Sequence, residues 1–180
     1  LPLLDPDEFL NATLPVVRPI FSWIGALLIA SLIGYGVVLA GMHWGEMTGN
    51  LADRVLAAEG LISLFVTYPI VKALHELGHG YAVKRWGGEV HELGLMFLVF
   101  MPVPYVDASA ASAFRDKWRR ALVGAAGIIL ELVLASLALI LWLNSEPGWV
   151  RAFAFSVILI GGVSTLLFNG NPLLRFDGYY

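Results

Sequence analysis

Apolar residues gather along the chain in runs of membrane-spanning length, separated by short polar connections. The first run, about Ile20 to Gly41, carries no charged residue. The second, about Gly60 to Val83, is interrupted by Pro69, Lys72, His75, Glu76 and His79. The third, about Ala121 to Leu143, has Glu131 as its only charge, and the fourth, about Ala152 to Phe168, has none. A helix needs ~20 apolar residues to cross a bilayer, so the pattern predicts an all-α polytopic membrane protein with about four transmembrane helices. Lys84-Arg85-Trp86-Gly87-Gly88 should stop the second helix. Between Leu93 and Val106 lies a shorter apolar stretch broken by Pro102 and Pro104, which predicts a re-entrant or interfacial hairpin between the second and third spans. Gly25, Gly34 and Gly36 in the first span are read as ordinary packing positions.

The flanks complete the layout. Residues 1–19 hold Pro2, Pro6, Pro15 and Pro19 and are expected to form an extended lead-in. Their acidic Asp5, Asp7 and Glu8 are the reverse of the basic start of a signal peptide. Met42 to Glu59 is a polar connection. Basic residues concentrate in the segment 84–120, as Lys84, Arg85, Arg115, Lys117, Arg119 and Arg120, so this segment is expected on the cytoplasmic side. The second helix then ends inside, and the fourth returns inside, which brings His79 and Asp177 to the same depth.

Composition supports the membrane reading. The chain is 58% apolar and only 14% charged, with a mean hydropathy of +0.77. A net charge of −3 speaks against a nucleic-acid partner. The chain has no cysteine, so a metal would be held by His, Asp or Glu. Residues 1–180 read as a single membrane-embedded domain, and the ends at Leu1 and Tyr180 suggest part of a longer chain.

His75-Glu76-Leu77-Gly78-His79 carries the chemistry. Four residues on a helix turn only ~40° past a full circle, so His75 and His79 can reach one zinc ion from one face. Glu76, rotated about 100° from His75, can contact zinc-activated water without occupying a ligand position, as a general base would. An ionisable cluster within a span is costly and marks function. The soluble-protease extension to a third histidine is absent, because Ala82 and Arg85 stand where Gly and His would be needed. His91, Glu89 and Glu92 are alternative third ligands, read as surface residues. Asp177 is preferred because Asn169-Gly170-Asn171-Pro172 interrupts the fourth helix shortly before it.

With these residues in view, the chain resembles the site-2 protease family of intramembrane zinc metalloproteases, particularly a bacterial branch of peptide zinc metalloproteases. The motif H-E-x-x-H in a span matches His75, Glu76 and His79. The motif N-x-x-P-x-x-x-x-D-G matches Asn169, Pro172, Asp177 and Gly178. The resemblance covers roughly Gly60 to Gly178. It implies one zinc ion held by His75, His79 and Asp177, Glu76 as the catalytic carboxylate, and location in a bacterial inner membrane with the site near the cytoplasmic face. Peptide or transmembrane-segment substrates, and export or regulatory partner proteins, are what it implies for partners besides the lipid bilayer. Asn169 and Asn171 are read as substrate hydrogen-bonders or as caps of the broken helix. The family's G-P-x-x-N becomes Gly127-Ile128-Ile129-Leu130-Glu131 here, which removes the expected Asn. Glu131 is expected either to pair with Lys72 or to contact substrate, and Lys72 has Glu76 at i+4 as a competing partner. The alternative function is a metal-binding membrane subunit or transporter accessory that does not hydrolyse peptides.

Overall fold

A computed structural model describes residues 2–98 and 101–169. The apolar runs emerge as long helices. α2 spans Trp23–Met42, α5 Ala58–Arg85 and α6 Lys117–Leu143, and these three are long and apolar enough to cross a membrane. A fourth, shorter apolar helix, α7 at Trp149–Ile158, continues without a break into π-helical winding over Leu159–Asn169. Runs of i→i+5 winding are usually a single turn and concentrate at functional sites.

Chain chemistry explains the helix ends. Ser22 caps α2 by accepting from the Gly25 amide, and Asp116 caps α6 by accepting from the Trp118 amide. α5 ends where the sequence predicts. Lys84 and Arg85 fill its last turn, favourable at the negative end of the helix dipole, and Gly87 at φ 78° takes the left-handed turn that ends the winding. Of the first-span glycines, Gly36 packs against Ser136 of α6, whereas Gly34 faces open space.

One expectation needs revision. Residues 1–19 are not extended throughout. After β1 (Pro2–Leu4) the chain forms helix α1 over Asp7–Val17. Pro6 precedes its first turn, Asp7 and Glu8 complement the positive helix end, and Pro15 falls in the last turn, where it forfeits a single bond. The polar connection Met42 to Glu59 contains two short helices, α3 (Trp44–Thr48) and α4 (Leu51–Leu56).

The segment between α5 and α6 forms a β hairpin, β2 (Leu93–Leu98) with β3 (Met101–Val106), so the otherwise helical fold carries a small antiparallel sheet in the order β1-β2-β3. In this pair Leu93 stands opposite Val106 and Leu95 opposite Pro104. The Asp107 amide donates to Glu92 on the β2 side, while the Val106 amide points the other way, toward α5. Backbone groups alternate sides along a strand, so Pro104 and Pro102 share the outward side with Val106, and neither removes a donor from the β2 ladder.

Packing divides into two apolar clusters. One joins Val71 of α5, Leu139 and Trp142 of α6 and Phe155 of α7. The other joins Leu10 of α1, Ala82 and Val83 of α5, Val90 and Val123. His75 and His79 lie on α5 between them. α1 contributes directly to the second cluster: Leu10 is fully buried against Gly80, and Thr13 shares a 2.7 Å hydrogen bond with Tyr81.

Asp7 locks α1 in place. It accepts from Lys84 Nζ at 2.7 Å and from the Val90 amide at 2.9 Å, and these bonds hold its carboxyl below the usual carboxylate range. A carboxylate whose folded pKa is depressed stabilises the fold above its unfolded pKa, and that contribution disappears as pH falls through the folded value. At neutral pH, Asp7→Asn is therefore expected to speed amide exchange across α1 several-fold. Measured at the same pH, the wild-type and variant protection factors across α1 should converge only below about pH 4. Equal exchange for the two proteins at pH 7 would show that the carboxylate does not hold α1.

Candidate functional site

Helix α5 presents His75, Glu76 and His79, and helix α6 supplies the surface against which they rest. Both histidines are buried, at 3% and 7% exposure, so their ring nitrogens must be matched by protein groups or a ligand. Their Nε2 atoms stand 3.0 Å apart, with the rings edge to face.

The other ring nitrogens decide what the two Nε2 atoms are. His79 Nδ1 lies 2.7 Å from the Val123 carbonyl, which can only accept, so His79 carries its proton on Nδ1. His75 Nδ1 lies 3.2 Å from Glu131 Oε1, a close charge contact outside hydrogen-bond geometry. The His79 ring thereby presents Nε2 as a lone-pair donor toward His75 Nε2. Two imidazole nitrogens facing each other in this way suit a shared cation. A tetrahedral zinc ion with Zn–N distances of about 2.0–2.1 Å holds two nitrogens roughly 3.3 Å apart, close to the separation seen. The His79 Nδ1 bond to a carbonyl is the usual support of a metal-ligating histidine, and the Glu131 carboxylate stands close to the far nitrogen of His75. The donor set therefore fits zinc.

Residues at i, i+4 and i+8 of α6 provide that support. Val123 gives the carbonyl for His79. Gly127 lets α6 approach: a Cβ there would stand 2.4 Å from His75 Nε2. Glu131, wholly buried, reaches His75 from one turn further on. Its carboxylate also accepts from Lys72 Nζ at 2.7 Å and from the Thr165 hydroxyl. Of the two partners weighed for Lys72, Glu131 is the one it bonds. Gly161 brings the π-helical segment against the backbone of this residue, since a Cβ at 161 would lie 2.6 Å from the Glu131 carbonyl oxygen.

Glu76 points elsewhere. Its Oε2 accepts from the Val106 amide of β3 at 3.1 Å, so the outer edge of the hairpin ends on this carboxylate.

The alternative third ligands stand apart from the histidines. His91 is exposed and bonds Asp5 and Glu89, while Glu92 accepts from Tyr105. Among the described residues no group of three or more His, Asp or Glu side chains is arranged to hold a metal ion. Asp177 and Asn171 lie outside the described residues, as does the side chain of Asn169. The roles of Val123, Val106 and Thr165 had no sequence signal. The first two act through backbone atoms, and the third is one threonine in an apolar run.

Comparison with known proteins agrees with this arrangement. The family model for peptidase family M50 matches residues 61–178. The chain belongs to that family, the site-2 protease family of metallopeptidases, and its three long apolar helices make it an integral membrane protein. No curated protein and no solved structure matches it.

The close approach at Gly127 is directly testable. Gly127→Ala should displace the His75 ring and weaken zinc binding by about 10- to 100-fold, the range found when the support of a metal ligand is disturbed. Gly34→Ala, which adds its methyl to open space, serves as the control. Zinc titration of the purified variants, with helix content checked by circular dichroism, separates displacement of the ring from unfolding.

Proposed function

We propose that this chain is an intramembrane zinc endopeptidase in which His75, His79 and Asp177 hold one zinc ion and Glu76 is the general base. The observation that carries this reading is the 3.0 Å approach of the buried His75 and His79 Nε2 atoms, on the helix that also carries Glu76. Asp177 enters through its place in the N-x-x-P-x-x-x-x-D-G motif, inside the region matched by the family.

Zinc, when bound, polarises the scissile carbonyl and acidifies water at the site. Glu76 accepts a proton from the attacking water and returns it to the leaving amide nitrogen, so the carboxylate is unchanged over a full cycle. The Val106 amide steadies Glu76 through Oε2. Glu131 takes no part in proton transfer, because Lys72, His75 and Thr165 surround its oxygens.

The substrate is a membrane-embedded or membrane-associated peptide that enters extended. Outer-edge carbonyls of Pro102 and Pro104 can accept hydrogen bonds from a substrate strand, but proline offers it no donor in return. This edge runs to Val106 and so ends at Glu76, which aligns a docked strand with the base. A fourth span through α7 and its π-helical continuation, and membrane contact of the hairpin, complete the architecture. The basic segment 84–120 supports a cytoplasmic-side site in a bacterial inner membrane, with water entering from that side. Export or regulatory proteins would deliver the peptide.

Glu76→Gln should retain zinc and lose peptide cleavage by about 10²- to 10⁴-fold, as expected for loss of a general base. Asp177→Asn should weaken zinc binding as well as cleavage. Cleavage of a membrane peptide in liposomes, alongside zinc content, checks both. Wild-type protein that binds zinc without cleaving any peptide would instead support the non-hydrolytic metal-binding subunit.

A further inference from the structure

Glu131 is the one fully buried acid among the described residues, and it does more than neutralise a lysine. Lys72 is satisfied by Oε1 at 2.7 Å, yet the same oxygen also stands 3.2 Å from His75 Nδ1. The opposite oxygen, Oε2, receives the Thr165 hydroxyl. The carboxylate therefore joins α5, α6 and the π-helical segment at one point, and that point adjoins a proposed metal ligand. A lysine and glutamate paired only to cancel charge could sit anywhere along the α5 and α6 contact. Here they lie one turn from His75 on both helices.

The geometry points to Glu131 as the positioning residue of the metal site. Its Oε1, 3.2 Å from His75 Nδ1, is the acceptor that ring would take as Nε2 turns to a bound zinc ion, while Lys72 and Thr165 hold the carboxylate in register. This role rests on the zinc-peptidase reading and extends it to a residue where the chain departs from the G-P-x-x-N pattern. A carboxylate accepting from the far nitrogen of a ligating histidine orients the ring and makes it a better donor. His79 has only a neutral carbonyl in the corresponding place.

Two charge-neutral double variants of the full chain separate this role from ion pairing. Lys72→Met with Glu131→Gln keeps an oxygen acceptor for His75 Nδ1, whereas Lys72→Met with Glu131→Leu removes it, and neither leaves an unpaired charge. Zinc affinity is read by competition with a chelating dye on detergent-solubilised protein, without substrate. The glutamine variant should bind within about threefold of wild type, and the leucine variant about 10- to 100-fold more weakly. Equal affinity in the two variants, tight or weak, overturns the inference. Wild-type protein that binds no zinc overturns the zinc-peptidase reading, and this role with it. Should the leucine variant not fold, nitrogen NMR of histidine-labelled, zinc-loaded wild type decides: a protonated, hydrogen-bonded His75 Nδ1 supports the role, and an unbonded one overturns it.

Discussion

Two imidazole nitrogens held 3.0 Å apart in a buried site are the constraint around which the rest of the molecule is arranged. The Val123 carbonyl keeps the His79 proton on Nδ1, which leaves His79 Nε2 as a lone pair directed at His75. Rotating that ring would strand a buried N–H without an acceptor, at a cost of about 1–3 kcal/mol. On the other side, Glu131 Oε1 stands 3.2 Å from His75 Nδ1. A lone pair aimed at a second histidine is the arrangement a shared cation uses.

Maintaining it in a membrane protein requires that the supporting charge be matched. A carboxylate in such surroundings is tolerated only when every oxygen has a donor, and Glu131 meets this with Lys72 on Oε1 and Thr165 on Oε2. Removing one partner of a buried pair costs about 3–5 kcal/mol, so Lys72 and Glu131 stand or fall together. The apolar clusters on either side fix the axial relation of α5 and α6, and Gly127 sets their separation at the site. α1 reinforces the motif helix just beyond His79, through Leu10 on Gly80 and the Asp7 bond to Lys84.

Hydropathy made the long helices legible because lipid demands unbroken apolar length, and the spacing of His75, Glu76 and His79 made their common face legible because helix geometry is rigid. The same reasoning misread residues 1–19. Four prolines suggested extended chain, whereas Pro6 precedes the first turn of a helix, where a missing donor is free, and Pro15 costs its last turn one bond. Glu131 was conspicuous as a lone charge in the third run, but its choice between bonding roles depended on the rotation of α6 against α5, which no local pattern records. The acceptor for His79 is a main-chain carbonyl and carries no residue signature at all. The third ligand remains a sequence assignment, since Asp177 lies outside the described residues.

Glu131 also bears on how negative charge on the scissile carbonyl oxygen could be stabilised. An asparagine at this position could donate a hydrogen bond to a developing oxyanion, whereas a carboxylate would repel it. That conflict disappears once the carboxylate is turned away. With Oε1 committed to Lys72 and His75 and Oε2 to Thr165, its charge is spent inside the protein. In the proposed peptidase, stabilisation of the oxyanion would then fall to a bound metal and to donors on other elements. The outer edge of β3 supplies few, because Pro102 and Pro104 have no amide hydrogen and the Val106 amide is bonded to Glu76. The proposed peptidase would therefore depend on its metal for transition-state stabilisation more heavily than one retaining the asparagine. In such a site, how firmly His75 is held limits how well the metal can act.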